Sequence, residues 1–344
     1  MPQDDWDAEA SRDIARSAPG KPPAGFFGAV PDPEVRTGHR AGKEGSTREG
    51  EAKEREEAED DEEFEEIEVV PVRRQLALAI AVFAGLLGLG LILGAQTSAP
   101  DSRAPYAIVL FGVQVLYLLA WTMALRPPAA MATAGICVAV ALVADYLAVT
   151  SASPGLAPLI FVALGGFVAA LIGQLFRAED RARVGDSWRT TLVIVLGVVA
   201  YAIPVVLTRQ ALGTQTLMLA AAAAGVALLI ARLADSIFPR PRIAPQVPRG
   251  ATGVVLGAML GTLGAAAVGS VLVLPFTPAK GAVIGLIAAV VANLVDLAVN
   301  FGEAGRTLAG DAPTFWVARH MQGPLGAFAL VAPVTYALTH WYMS

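Results

Sequence analysis

The chain has 344 residues, 55% hydrophobic and 16% charged, with 25 Lys and Arg against 30 Asp and Glu. The net charge of −5 decides nothing by itself, no nucleic-acid partner is expected, and a single cysteine excludes an intramolecular disulfide or a cysteine metal cluster. The average hides two unlike parts: residues 1–70 carry 21 acidic and 9 basic side chains, and residues 71–344 carry 9 acidic and 16 basic.

Residues 1–70 form an acidic N-terminal tail rich in Pro, Gly, Glu and Arg, with 12 acidic groups in the 18 positions from Glu51 to Glu68. Such a segment buries too little apolar surface to offset the entropy of ordering, so it is expected to be disordered. A solvating or spacing role is the simplest reading, and recruitment of a cytoplasmic protein partner is the alternative. Anionic lipids repel the tail from the membrane surface.

From Gln75 onward long apolar runs alternate with short polar loops. A helix rising 1.5 Å per residue needs about 20 apolar residues to cross the hydrocarbon core. Runs of that kind fall near 75–95, 106–125, 129–149, 156–176, 190–208, 215–238, 251–275, 280–300 and 322–342. Residues 71–344 are therefore expected to form an all-α, polytopic integral membrane bundle of about nine transmembrane helices. The second and third runs are separated only by Arg126-Pro127-Pro128, the signature of a tight helical hairpin.

The third run holds Cys137, read as a small buried hydrophobe, and Asp145, read as a carboxyl near the outer interface. The Arg cluster at 177–189, with Glu179, Asp180, Asp186 and Trp188, reads as an interfacial loop. In the sixth run Arg232 and Asp235 stand three apart on one helix face, as an ion pair or a substrate contact. The seventh reads GVVLGAMLGTLG, with Gly253, Gly257 and Gly261 at every fourth position. That spacing lets helix backbones approach closely, whereas a phosphate-cradling fingerprint needs a preceding strand. In the eighth run Asp296 has no basic residue three or four positions away. An unpaired carboxylate inside a membrane points to a metal, a proton or a cationic headgroup; a neighbouring helix that satisfies it is the equal alternative.

Loop arginines set the orientation. With the tail in the cytoplasm, that side receives Arg73, Arg74, Arg126, Arg177, Arg181, Arg183, Arg189, Arg240, Arg242, Arg249, Arg306 and Arg319. The other side receives only Arg103, Arg209 and Lys280. The expectation is a plasma (inner) membrane protein with its N-terminus cytoplasmic and its C-terminus outside. The longest cytoplasmic loops are then 239–250 and 301–321.

Residues 215–344 resemble the phosphatidate cytidylyltransferase (CDP-diacylglycerol synthase) family. RIAPQVPRGATGVVLGAMLG at 242–261 stands where that family has a KLAP-ISPKKTxEG loop entering a Gly-rich helix. NLVDLAVNFGEA at 293–304 is similar to its GDLxESxxKR helix end, and DAPTFWVARHMQGPLGAFALVAPVTY at 311–336 to its PGHGGxxDR loop and following helix. Pro245, Pro248 and Arg249 match the first pattern, but Val247 replaces its Ser, Gly250 its second Lys, and a small residue near Gly253 its Glu. Asp296 and Leu297 match the second, where Val299, Asn300, Glu303 and Ala304 replace Glu, Ser, Lys and Arg. His320 aligns in the third, but Met321 and Gln322 replace glycines, and no Asp-Arg follows because His320 to Ser344 contains no Asp, Glu, Lys or Arg.

The resemblance implies attack by phosphatidate on the α-phosphate of CTP, with carboxylate-held divalent metal. It makes Asp296, His320 and Arg249 vestigial catalytic candidates, Arg232, Asp235, Arg242 and Arg249 substrate-binding candidates, and Asp296 the metal candidate. One carboxylate holds Mg²⁺ poorly, and Glu303 in place of a Lys repels a triphosphate. The expectation is a catalytically inactive relative with a lipid-binding, regulatory or scaffolding role, with membrane lipids as partners. An active transferase, which alone would need Mg²⁺, is the alternative; a transporter using Asp145, Arg232, Asp235 and Asp296 as a path is a weaker one.

Overall fold

The computed structural model describes residues 72–99, 102–175, 184–311 and 314–343, with side chains described from Ser187 onward in the third stretch. The acidic tail and most of the charged loop at 177–189 lie outside the described residues. Among the described residues ten helices follow one another: α1 Arg74–Gln96, α2 Ala104–Leu125, α3 Ala130–Thr150, α4 Ala157–Leu175, α5 Val184–Ala200, α6 Ile203–Leu207, α7 Gly213–Ile237, α8 Ala251–Val271, α9 Pro278–Leu308 and α10 Trp316–Trp341. Among the described residues nine helical stretches are long and apolar enough to cross a membrane, α5 and α6 together making one of them. The chain is an all-α, multi-pass integral membrane protein.

Local chemistry sets the ends of these helices. α2 stops at Leu125 before Pro127-Pro128, and α3 starts at Ala130, with Arg126 and Ala129 in the left-handed region at φ 46° and 51°. This is the expected hairpin. The fifth span breaks at Tyr201–Ala202, because Pro204 has no N–H to continue the α-helical ladder. Pro278 opens α9 behind Thr277, whose hydroxyl accepts from the Lys280 N–H at 3.2 Å. α9 then runs to Leu308, past the apolar stretch that ends near residue 300, and closes at Gly310 with φ 77°. Hydropathy marks where the apolar run ends. It does not mark where a helix ends whose last turns hold Glu303, Ala304 and Arg306.

Two groups of helices pack around α10. One contains α1, α7, α8 and α9, with α7 at its centre; the other contains α2, α3, α4 and α5. α8 shows how the first group closes. A Cβ on Gly253 would lie 2.6 Å from the Ala231 carbonyl oxygen, one on Gly257 2.5 Å from that of Ala227, and one on Gly261 2.6 Å from that of Ala223. The glycine stripe therefore lies on the alanine face of α7, as its spacing predicts. On the opposite face Val255, Met259 and Leu263 are more than half exposed, because lipid rather than water is the solvent for that surface. In the second group Cys137 is fully buried, as expected.

Candidate functional site: an arginine–aspartate network and its cavity

Four charged side chains from three segments of the chain meet where α7, α9 and the loop before α8 converge. Arg232 on α7 donates through Nη2 to Asp296 Oδ1 on α9 at 2.6 Å. Arg249 donates through Nη1 to Asp235 Oδ2 at 2.7 Å, and its Nη2 lies 3.2 Å from Asp296 Oδ2. The last is an ion contact without hydrogen-bond alignment, so Asp296 Oδ2 accepts no hydrogen bond. All four are buried, Arg249 and Asp296 completely. Two positive and two negative charges cancel, which is the condition for keeping ions in a low-dielectric interior.

The loop between α7 and α8 explains how Arg249 gets there. The Ile243 N–H donates to the Arg249 carbonyl at 3.1 Å and the Ala251 N–H to that of Pro241 at 2.9 Å, folding the segment back on itself. Val247 is fully buried beneath it. The Gly250 N–H then donates to Asp235 Oδ1 at 2.9 Å, fixing the start of α8 against the end of α7. Burial pulls the Arg249 guanidinium below its usual pKa, Arg232 acts in the same sense, and Asp296 and Asp235 oppose both. A guanidinium remains charged under such pressure, so the network is ionic.

Glycine provides the remaining space. A Cβ on Gly323 of α10 would lie 2.1 Å from Asp296 Oδ1, so α10 can pass the network only because this position has no side chain. A Cβ on Gly253 would lie 2.3 Å from Asp235 Oδ1.

Next to the network, between α1, α7, α9, α10 and the loop, lies a cavity of about 340 Å³. Arg73, Arg232, Arg319, His320, Asn300 and Glu303 supply its polar walls, and Trp316 stands at its rim, 57% exposed. Glu303 is buried; Arg306 and Thr314 donate to it, the latter at 2.9 Å, and Arg319 Nε lies 3.4 Å away. The His320 ring meets that of Trp316 edge-on at 5.3 Å.

Several expectations change here. Arg232 pairs with Asp296 rather than with Asp235 on its own helix. Of the two expectations for Asp296, an unpaired carboxylate and one satisfied by a neighbouring helix, the second holds: Arg232 on α7 pairs with it, and Arg249 from the loop flanks it. Arg249 lies in the loop at 239–250 where it is expected, but it is fully buried. Asp145, near the end of α3, is buried within the bundle at 7% exposure and accepts from Gln114 Nε2 at 3.0 Å. Arg242 is half-buried in the loop, its backbone bridged to that of Gly250. His320 lines the cavity without touching the network. Sequence reasoning missed Gly323 as a space-making residue and Glu303 as an arginine acceptor.

The donor set does not fit the implied Mg²⁺. Both Asp296 oxygens face guanidinium groups, and among the described residues no three His, Cys, Asp or Glu side chains are grouped to hold a metal. No family model, curated protein or solved structure matches this chain.

Proposed function

We propose that this chain is a non-catalytic membrane protein with a lipid-binding, regulatory or scaffolding role, on a bundle of CDP-diacylglycerol synthase type. One observation carries the reading: Asp296, which stands where the resemblance places a metal-binding carboxylate, is held by Arg232 and Arg249. A carboxylate neutralised in this way has no charge left to hold a divalent cation against a triphosphate. The loop arginines favour a cytoplasmic N-terminus in the inner membrane, which puts the network and its cavity at the cytoplasmic face.

The test is purified full-length protein with CTP, phosphatidate and Mg²⁺, read by pyrophosphate release. No turnover above a protein-free control is expected. Turnover that disappears in Asp296→Ala would overturn the reading and establish a transferase with a rebuilt site.

A further inference from the structure

The cavity beside the network has more positive charge than it uses. Arg73, Arg232 and Arg319 line it, and Glu303 is the carboxylate among its lining residues. Glu303 is already engaged by Arg306, Thr314 and Arg319, and Asp296 takes one edge of Arg232. Arg232 is more than nine-tenths buried yet reaches the cavity, and its Nε–H has no hydrogen-bond partner. A buried guanidinium donor left unmade is costly, and a charged acceptor relieves it best. Arg73 is exposed at the start of α1, and Arg319, half-exposed in the first turn of α10, meets Glu303 through its Nε, so Arg73 and the outer edge of the Arg319 guanidinium can close on a ligand from either side.

The shape fits the same chemistry. A cavity of about 340 Å³ lies at the small end of the range for ligand sites, roughly 300–1,000 Å³. Leu76, Ile80 and Val299 give it an apolar wall toward the bundle, and Trp316 marks the rim where an amphiphile passes from water to hydrocarbon. Guanidinium groups bind phosphate oxygens in pairs and need no metal to do so.

We propose that this cavity binds a phosphate ester directly, through Arg73, Arg232 and Arg319, with no metal ion. The inference rests on the lipid-binding reading above and sharpens it: the bound group is the phosphate of an anionic phospholipid headgroup, or a soluble phosphate compound of the same chemistry.

The experiment uses the full chain in nanodiscs of phosphatidylcholine, with or without phosphatidylglycerol, and in detergent with inorganic phosphate. Bound lipid is counted by native mass spectrometry and protection by thermal unfolding. Retention of phosphatidylglycerol is expected, weakened about tenfold or more in the double variant Arg73→Gln/Arg319→Gln, since each lost charged hydrogen bond is worth that much. Arg74→Gln, the same charge change one residue outside the cavity, is expected to retain the lipid. Protection by inorganic phosphate alone, lost in the double variant, would keep the anion site and overturn the lipid-binding reading. Phosphatidylglycerol retained equally by the double variant would overturn the site but leave lipid binding elsewhere on the bundle. No binding of either ligand would overturn both.

Discussion

Among the described residues the bundle buries three aspartates, and it treats two of them, Asp296 and Asp145, in opposite ways. Asp296 sits among charges: Arg232 and Arg249 flank it, and Asp235 completes a neutral set of four. Asp145, in the other helix group, meets an amide. Gln114 Nε2 donates to Asp145 Oδ1 at 3.0 Å and to the Val198 carbonyl at 3.1 Å, and no described cation forms an ion pair with it. The first arrangement holds ionised groups by mutual neutralisation. The second holds a polar side chain within a chain of hydrogen bonds. Inside a membrane the same residue type is therefore structural in two senses, and only the first places strong charges beside a cavity.

The charged set is most sensitive at Arg249, which contacts both aspartates. Removing it as Arg249→Ala leaves Asp235 with a backbone N–H and Asp296 with a single cation, both buried. The expected loss is about 3–5 kcal/mol, the usual range for breaking a buried pair, measured as reversible unfolding in mixed micelles. A loss below about 1 kcal/mol, the ceiling of an exposed pair, would show that the network is dispensable. Next in size is Gly323→Ala, whose methyl would lie 2.1 Å from Asp296 Oδ1. Overpacking of this kind is expected to cost about 1–3 kcal/mol, and a neutral result would mean that α10 shifts without penalty. Asp145→Asn is expected to be smallest, within about 1 kcal/mol, because an asparagine oxygen still accepts from Gln114. A loss as large as that of Arg249→Ala would show that Asp145 carries a charge the bundle depends on.

What the sequence made legible follows the range of each interaction. The nine spans come from composition over some twenty residues, and the α7–α8 contact from the spacing of Gly253, Gly257 and Gly261 within one helix. Arg232 and Asp296 are 64 positions apart, so their pairing depends on how α7 and α9 pack, which no local pattern records. The i, i+3 rule instead offered Asp235 to Arg232, a pairing that competition from Arg249 displaces. The inward path of Arg249 was hidden because a Pro-rich polar loop reads as exposed, and the bonds that fold it, from the Ile243 N–H to the Arg249 carbonyl and from the Ala251 N–H to the Pro241 carbonyl, are tertiary in effect. Gly323 was invisible for another reason: a lone glycine acquires meaning only from the atom opposite it. Asp296 itself was legible as unusual, but its partners were not.

The most direct measurement is a double-mutant cycle on Arg232→Met and Asp296→Leu, with stability read in the same mixed-micelle unfolding. If the four charges form a self-neutralised structural unit, each single change strands a buried charge and the double change removes both. A coupling of about 2–3 kcal/mol is expected, with the double variant more stable than Arg232→Met alone. Additive losses would contradict it, because Asp296 would then have a role that does not depend on Arg232.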